Sequence, residues 1–167
     1  INTTAKNKSI WIKANSSLNS NRDIILNGEA NSTGEGIVIQ GASDTSRNMI
    51  KAQRDITLKA NNSNVSVQSS SMNLDNVSLV SGTGNIAING SGLGSVHFSN
   101  IDLTAIAGNV TVYAETVSAL TSALSSTLSM VGNNTIKAQN GSVIGSALNT
   151  SQGAGIGFRE NNSLSIE

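Results

Sequence analysis

Apolar residues in this chain come in pairs one position apart, and each pair follows a turn-forming residue. The phrase reads Asp55-Ile56-Thr57-Leu58, Asn64-Val65-Ser66-Val67, Asn76-Val77-Ser78-Leu79, Asn85-Ile86-Ala87-Ile88 and Asn109-Val110-Thr111-Val112. Earlier versions are Asp23-Ile24-Ile25-Leu26 and Gly36-Ile37-Val38-Ile39. Alternation with a period of two and β-branched content predict short strands. Asn, Asp and Gly suit the turns between them, because they tolerate positive φ or bond their own backbone. The alternation points Ile, Val and Leu inward and sets Thr57, Ser66, Ser78, Thr111 and Ser129 outward.

From Ile50 onward the strands fall into threes. One coil takes Ile56/Leu58, Val65/Val67 and Met72/Leu74; the next takes Val77/Leu79, Ile86/Ile88 and Val96/Phe98. Then come Ile101/Leu103, Val110/Val112 and Val117/Ala119, followed by Leu128/Met130, Ile136/Ala138 and Val143. A last coil begins with Ile156/Phe158 and Leu164/Ile166. First-strand starts are 21, 24 and 27 residues apart, and second-strand starts step with them. Three strands in every 20–25 residues predict an all-β parallel β-helix, a solenoid of about seven coils rising ~4.8 Å each, with Ile56, Val77 and Ile101 in one inward row. In this reading residues 1–167 form a single β-helix segment, with clear repeats over 50–167 and a register that the pattern leaves open over 1–49. Before Ile50, Ile10/Ile12, Ile24/Leu26 and Ile37/Ile39 read as strands, and the polar stretch from Ala42 to Asn48 reads as a loop. Val117, Leu120, Leu124, Leu128 and Val131 recur at helical spacing. The surrounding Ser and Thr residues are poor helix formers, and the repeat register favours strands and loops there.

Composition narrows the picture. The chain has no Pro, although ordinary usage predicts about eight, and proline would delete a ladder N–H from a central strand. Aromatics are 2% and charged residues 12%, so the core is thin and aliphatic. Ten basic residues balance ten acidic ones without a cluster, which excludes a phosphate-neutralising nucleic-acid face. The absence of Cys excludes disulfides and thiolate metal sites. No apolar run reaches the ~20 residues of a membrane-spanning helix. The opening Ile1 and the lack of a signal peptide read as an internal piece of something longer.

The phrases Arg54-Asp55-Ile56-Thr57-Leu58-Lys59-Ala60, Gly108-Asn109-Val110-Thr111-Val112 and Lys137-Ala138-Gln139-Asn140-Gly141-Ser142-Val143 resemble the repeats of filamentous-haemagglutinin-type exoproteins. These are the two-partner-secretion adhesins of Gram-negative bacteria, among them the high-molecular-weight adhesins and the stick proteins of contact-dependent inhibition. The resemblance covers most of the chain from Ile50 and is weaker before it. It implies a right-handed β-helix, export through an outer-membrane partner, a secreted or cell-surface location, and attachment or toxin presentation. The family's amino-terminal secretion domain is not recognisable in this stretch.

Candidate chemistry is sparse. His97, between Val96 and Phe98, points outward alone and cannot assemble a triad or a metal site. Asp55 and Asp75 are placed to stack at equivalent turns one coil apart, where stacked carboxylates cap turns more readily than they form an acid–base pair or a Ca²⁺ site. The glycine phrase from Gly82 to Gly94 lacks the Lys-Ser/Thr of a phosphate loop and reads as turns. Trp11 and Tyr113 face outward and are candidate surface contacts for a sugar or a protein, against a plainer role packing beneath a loop. Thirteen Asn-x-Ser/Thr triplets occur, against roughly six from composition, and the strand phrase itself explains part of the excess. Asn64, Asn76, Asn89, Asn109 and Asn140 are the candidate glycosylation positions, and the resemblance to sugar-bearing adhesins points the same way. No cofactor, metal or catalytic residue is expected.

These features lead to a non-enzymatic segment of a secreted bacterial adhesin, acting as a rigid rod and adhesive surface. Its partner would be a host-cell receptor or glycan. One alternative is the receptor-binding stick of a contact-dependent inhibition toxin, whose target is a neighbouring bacterium. A rival from another class is a carbohydrate-active β-helix enzyme, which would require a stacked face of carboxylates or basic residues that the sequence lacks.

Overall fold

The computed structural model describes residues 1–6, 10–30, 36–43, 45–62, 72–92, 96–116, 127–149, 156–159 and 162–166. They form a right-handed parallel β-helix of three strands per coil. The first coil holds β1 (Asn2–Lys6), β2 (Ile10–Ile12) and β3 (Ser17–Ser20). The second holds β4 (Ile24–Ala30), β5 (Ile37–Gln40) and β6 (Asn48–Ala52), and the third β7 (Ile56–Asn62), β8 (Met72–Asp75) and β9 (Val77–Ser81). In the fourth are β10 (Ile86–Gly92), β11 (Val96–Ser99) and β12 (Asp102–Ala105). The fifth contains β13 (Val110–Thr116), β14 (Leu128–Val131) and β15 (Asn134–Ala138), and the sixth β16 (Val143–Asn149), β17 (Ile156–Arg159) and β18 (Asn162–Ile166). Every third strand pairs in parallel, which gives three sheets: β1-β4-β7-β10-β13-β16, β2-β5-β8-β11-β14-β17 and β3-β6-β9-β12-β15-β18. Six coils at the ~4.8 Å strand spacing make a rod ~30 Å long.

Each sheet turns its aliphatic side chains inward in columns. In the first sheet Ile24, Ile56, Ile86 and Val110 stack in register, as do Leu26, Leu58, Ile88 and Val112. All eight are at most 2% exposed. Phe98 lies in the second sheet between Leu74 and Met130 and is completely buried. A third inward column of the first sheet is small throughout: Ala5, Gly28, Ala60, Gly90, Ala114 and Ala147. The reason shows at Gly28, where a Cβ would overlap the Gly36 carbonyl of the chain passing into the second sheet.

The expected coil of 20–25 residues holds for two steps of the first sheet and is too short for the other three. Asn2 pairs with Ile25, a step of 23 residues, and from there the matched positions 24, 56, 86, 110 and 143 give steps of 32, 30, 24 and 33. The predicted inward row therefore needs correcting. Val77 belongs to the third sheet, whereas Ile56 stacks with Ile24 and Ile86 in the first. The repeat phrase at Asn64–Val67 and the pair Val117/Ala119, both read as strands, lie outside the described residues. So does most of the segment with helical spacing, although its last residues, Leu128–Val131, are a strand.

The corners explain the turn residues. Between the third and first sheets, side-chain oxygens of successive coils catch the amide of the coil above. The Asp55 amide donates to Asp23 Oδ1 (3.3 Å), and the Asn85 amide to Asp55 Oδ1 (2.7 Å). The Asn109 amide donates to Asn85 Oδ1 (2.9 Å), and the Ser142 amide to Asn109 Oδ1 (2.8 Å). Each such bond contributes about 1 kcal/mol, more where the acceptor is a carboxylate. Between the second and third sheets the chain bends through left-handed residues, Asn76 and Asn100 (both φ 52°) and Gly132 (φ 79°). At two of these corners, before β6 and before β15, the third-sheet strand opens with a buried asparagine. Asn48 Oδ1 accepts from the Ser16 amide, and Asn134 Oδ1 from the Ile101 amide, both at 3.0 Å.

Candidate surface-contact sites

Trp11 lies on the outer face of β2 and is 57% exposed, as alternation requires. Its register partner across the sheet is Val38, and the Lys13 ammonium sits 5.6 Å from the ring centroid. One face of the indole is therefore covered by a cation. Beside it a recess of about 540 Å³ opens over the first coil, lined by Ile1, Ile10, Ile12, Leu18 and Trp11 among others.

Tyr113 stands four coils along, on the outer face of the first sheet between Asn89 and Ser146. Its hydroxyl donates to Glu115 Oε2 at 3.2 Å. Desolvation, together with the neighbouring carboxylate, pushes the phenol above its ordinary value, so it stays a protonated donor. The strand above carries two exposed aliphatic residues outward, Ile144 (51%) and Leu148 (47%). They lie diagonally on either side of Tyr113, as neighbours of Thr111 and Glu115. Placing Val143 inward is consistent with this parity, and Ala147 fixes it by filling the small-residue column; the sequence reading missed the patch because only the register of β13 on β16 brings Ile144 and Leu148 beside Tyr113.

His97 is outward but half-buried, between Asn73 and Ser129 on the second sheet. Burial lowers its pKa, and the nearby Asp75 charge opposes that shift. Asn73 Oδ1 beside it is buried without a hydrogen-bond partner. Asp55 and Asp75 do not stack as expected. Asp55 sits in the turn below β7, with Asp23 and Asn85 as its neighbours on the oxygen ladder, whereas Asp75 ends β8 on another face. Asp23 has a strong partner. Arg54 bonds it through Nε (2.9 Å) and Nη2 (2.7 Å), and this pairing holds its carboxyl below the usual range. Among the described residues no group of three or more His, Asp or Glu is placed to hold a metal ion.

The candidate glycosylation positions divide by environment. Asn64 lies outside the described residues. Asn76 is 8% exposed in a left-handed corner, where an attached sugar has no room. Asn89 is half-buried on the outer face of β10. Asn109 is exposed, with Oδ1 committed to the ladder, and Asn140 is exposed, with Nδ2 donating to the Ile106 carbonyl at 3.0 Å. Trp11 and Tyr113 lie on different sheets, so no single groove unites them. No protein-family model, curated protein or solved structure matches the chain.

Proposed function

We propose that this chain is a non-enzymatic rod segment of a secreted bacterial surface adhesin, which holds a contact surface at a fixed distance from the cell. The observation that carries this reading is the uninterrupted stack of three parallel sheets over six coils, with aliphatic columns inside. Such a stack has a constant cross-section, and its reach grows by one strand spacing per coil. The outer faces present scattered hydroxyl, amide and aromatic groups, which suit many weak contacts added along a long array. Tyr113 with Ile144 and Leu148, and separately Trp11, are the contact residues on this reading. Its partner is a host-cell receptor or glycan.

The test immobilises the chain at high density and compares adhesion of host cells and of bacteria against an unrelated β-helix. Host-cell adhesion that falls in Tyr113→Ala or Trp11→Ala supports the reading. Adhesion no greater than that of the control sinks it. Turnover of a polysaccharide that disappears in Asp55→Asn or Asp75→Asn would replace the adhesin with an enzyme. Adhesion to bacteria alone would move the target to a neighbouring cell.

A further inference from the structure

Three asparagine–glycine pairs occur in the chain: Asn27-Gly28, Asn89-Gly90 and Asn140-Gly141. The first two lie inside β4 and β10, interior strands of the first sheet that are hydrogen-bonded on both sides. The third lies in the exposed turn between β15 and β16. Packing dictates its glycine. A Cβ on Gly141 would overlap the Gly108 carbonyl, just as one on Gly108 would overlap that of Gly84. The residues before these stacked glycines are Thr83, Ala107 and Asn140. Only the last places a side-chain amide next to a glycine that the fold cannot exchange.

We propose that Asn140-Gly141 is a self-modification site, at which the folded rod converts asparagine to aspartate and isoaspartate. The backbone nitrogen of Gly141 gives its proton to hydroxide and attacks Asn140 Cγ. The N–Cγ bond forms, the Cγ–Nδ2 bond breaks, and Nδ2 leaves as ammonia with a proton from water. Water then opens the five-membered succinimide at either carbonyl. The balance is one water consumed and one ammonia released, with no redox change. Glycine allows this attack because it has no side chain to block the approach. In β4 and β10 the same attack would first require the strand to open. At Asn140 the side chain is held by the Nδ2 bond to the Ile106 carbonyl in an exposed turn.

The consequence follows from the next residue. The Ser142 amide donates to Asn109 Oδ1 at 2.8 Å, and its carbonyl accepts from the Val110 amide at 2.9 Å. These bonds seat β16 on β13. Aspartate at position 140 turns a donor toward the Ile106 carbonyl into an acceptor. Isoaspartate adds a methylene to the backbone between residue 140 and Gly141, and so shifts Ser142, one residue on, off the ladder. The reaction therefore loosens the sixth coil.

The experiment incubates the folded chain in mildly alkaline buffer and maps Asn, Asp and isoaspartate at positions 27, 89 and 140. The same mapping is run on the chain in denaturant and on Asn140→Gln. The expected result is conversion at Asn140 ~10-fold or more faster than at Asn27 and Asn89 in the folded chain, with the three rates converging in denaturant. The rate at Asn140 should rise with pH. Hydrogen-exchange protection of β16 should fall in step with conversion, and should stay constant in Asn140→Gln over the same incubation. Conversion at Asn140 no faster than at the two strand positions in the folded chain overturns the site. Conversion that leaves β16 protection unchanged overturns the structural consequence.

Discussion

Val110 and Thr111 are adjacent in sequence and opposite in environment. Val110 is fully buried, stacked between Ile86 and Val143, while Thr111 faces outward between Ala87 and Ile144. Val110→Asp places an unpaired charge among aliphatic side chains and should cost at least ~3 kcal/mol, whereas Thr111→Asp should cost under ~1 kcal/mol. Thermal melts of the two variants check this, and the reverse order would mean that the strand is turned over. His97 offers a titration. Burial lowers its pKa from the ordinary 6.5, and Asp75 opposes that. The native fold thus favours neutral imidazole. That preference stabilises the fold fully above the ordinary value and is lost as pH falls through the depressed one. Asp75→Asn removes the opposing charge and should move the His97 midpoint further down in an NMR titration; an upward move would refute the assignment. Asp23 also has a depressed pKa, set first by the Arg54 hydrogen bond. Its contribution is present above the ordinary 3.8 and fades as pH falls through the lower native value. Asp23→Asn should flatten the decline of the melting temperature below about pH 4.

At the level of elements, the corner ladder sets the register of the first sheet. Asn85→Ala removes the acceptor for the Asn109 amide and leaves that donor without its partner, a loss of ~1–2 kcal/mol. Asn85→Asp keeps the oxygen and should keep most of the stability. Amide exchange at Asn109 should quicken in the alanine variant and not in the aspartate one; equal rates in both would show that the rung does not hold the strand. Asp23, Asp55, Asn85 and Asn109 of this ladder open the phrase of a turn residue followed by two apolar residues, and Asn76 opens the same phrase at a different corner, so the strands and their inward faces were legible from it. The grouping into coils was not. Asn76-Val77-Ser78-Leu79 has the same phrase as the first-sheet strands yet opens β9 of the third sheet, and nothing local distinguishes it from Asn85–Ile88. Coil membership depends on pairing partners 23 to 35 residues away, and insertions between sheets change that distance from coil to coil. The buried Asn48 and Asn134 were equally hidden, because a polar residue at a core position makes sense only once the neighbouring coil's amide that it accepts is known. Of the candidate contacts, the outward direction of Trp11 and Tyr113 was readable from alternation. Their partners Lys13 and Glu115, each two residues further along the same face, become partners only when the strand is extended.

On the scale of the whole molecule, each coil touches only the coil below and the coil above, so stability should be distributed as in a one-dimensional array. Ile88 is completely buried between Leu58 and Val112. Leu18, in the first coil, packs against the core while only partly buried, with Ile50 as its neighbour in the second coil. Ile88→Ala should therefore cost ~2–5 kcal/mol, and Leu18→Ala clearly less because its site can relax. The two changes should also differ in reach. Weakening the middle of an array lets the coils on either side open separately, whereas weakening one end leaves the remaining contacts intact. In native-state hydrogen exchange, Ile88→Ala should lower protection in both β7 and β13, and Leu18→Ala should lower it in β3 and β6 while β13 keeps its own. A uniform loss across all six coils in both variants would mean that the solenoid unfolds as one globular unit. In that case stiffness could not be extended simply by adding coils, and the rod proposed for surface presentation would lose its physical basis.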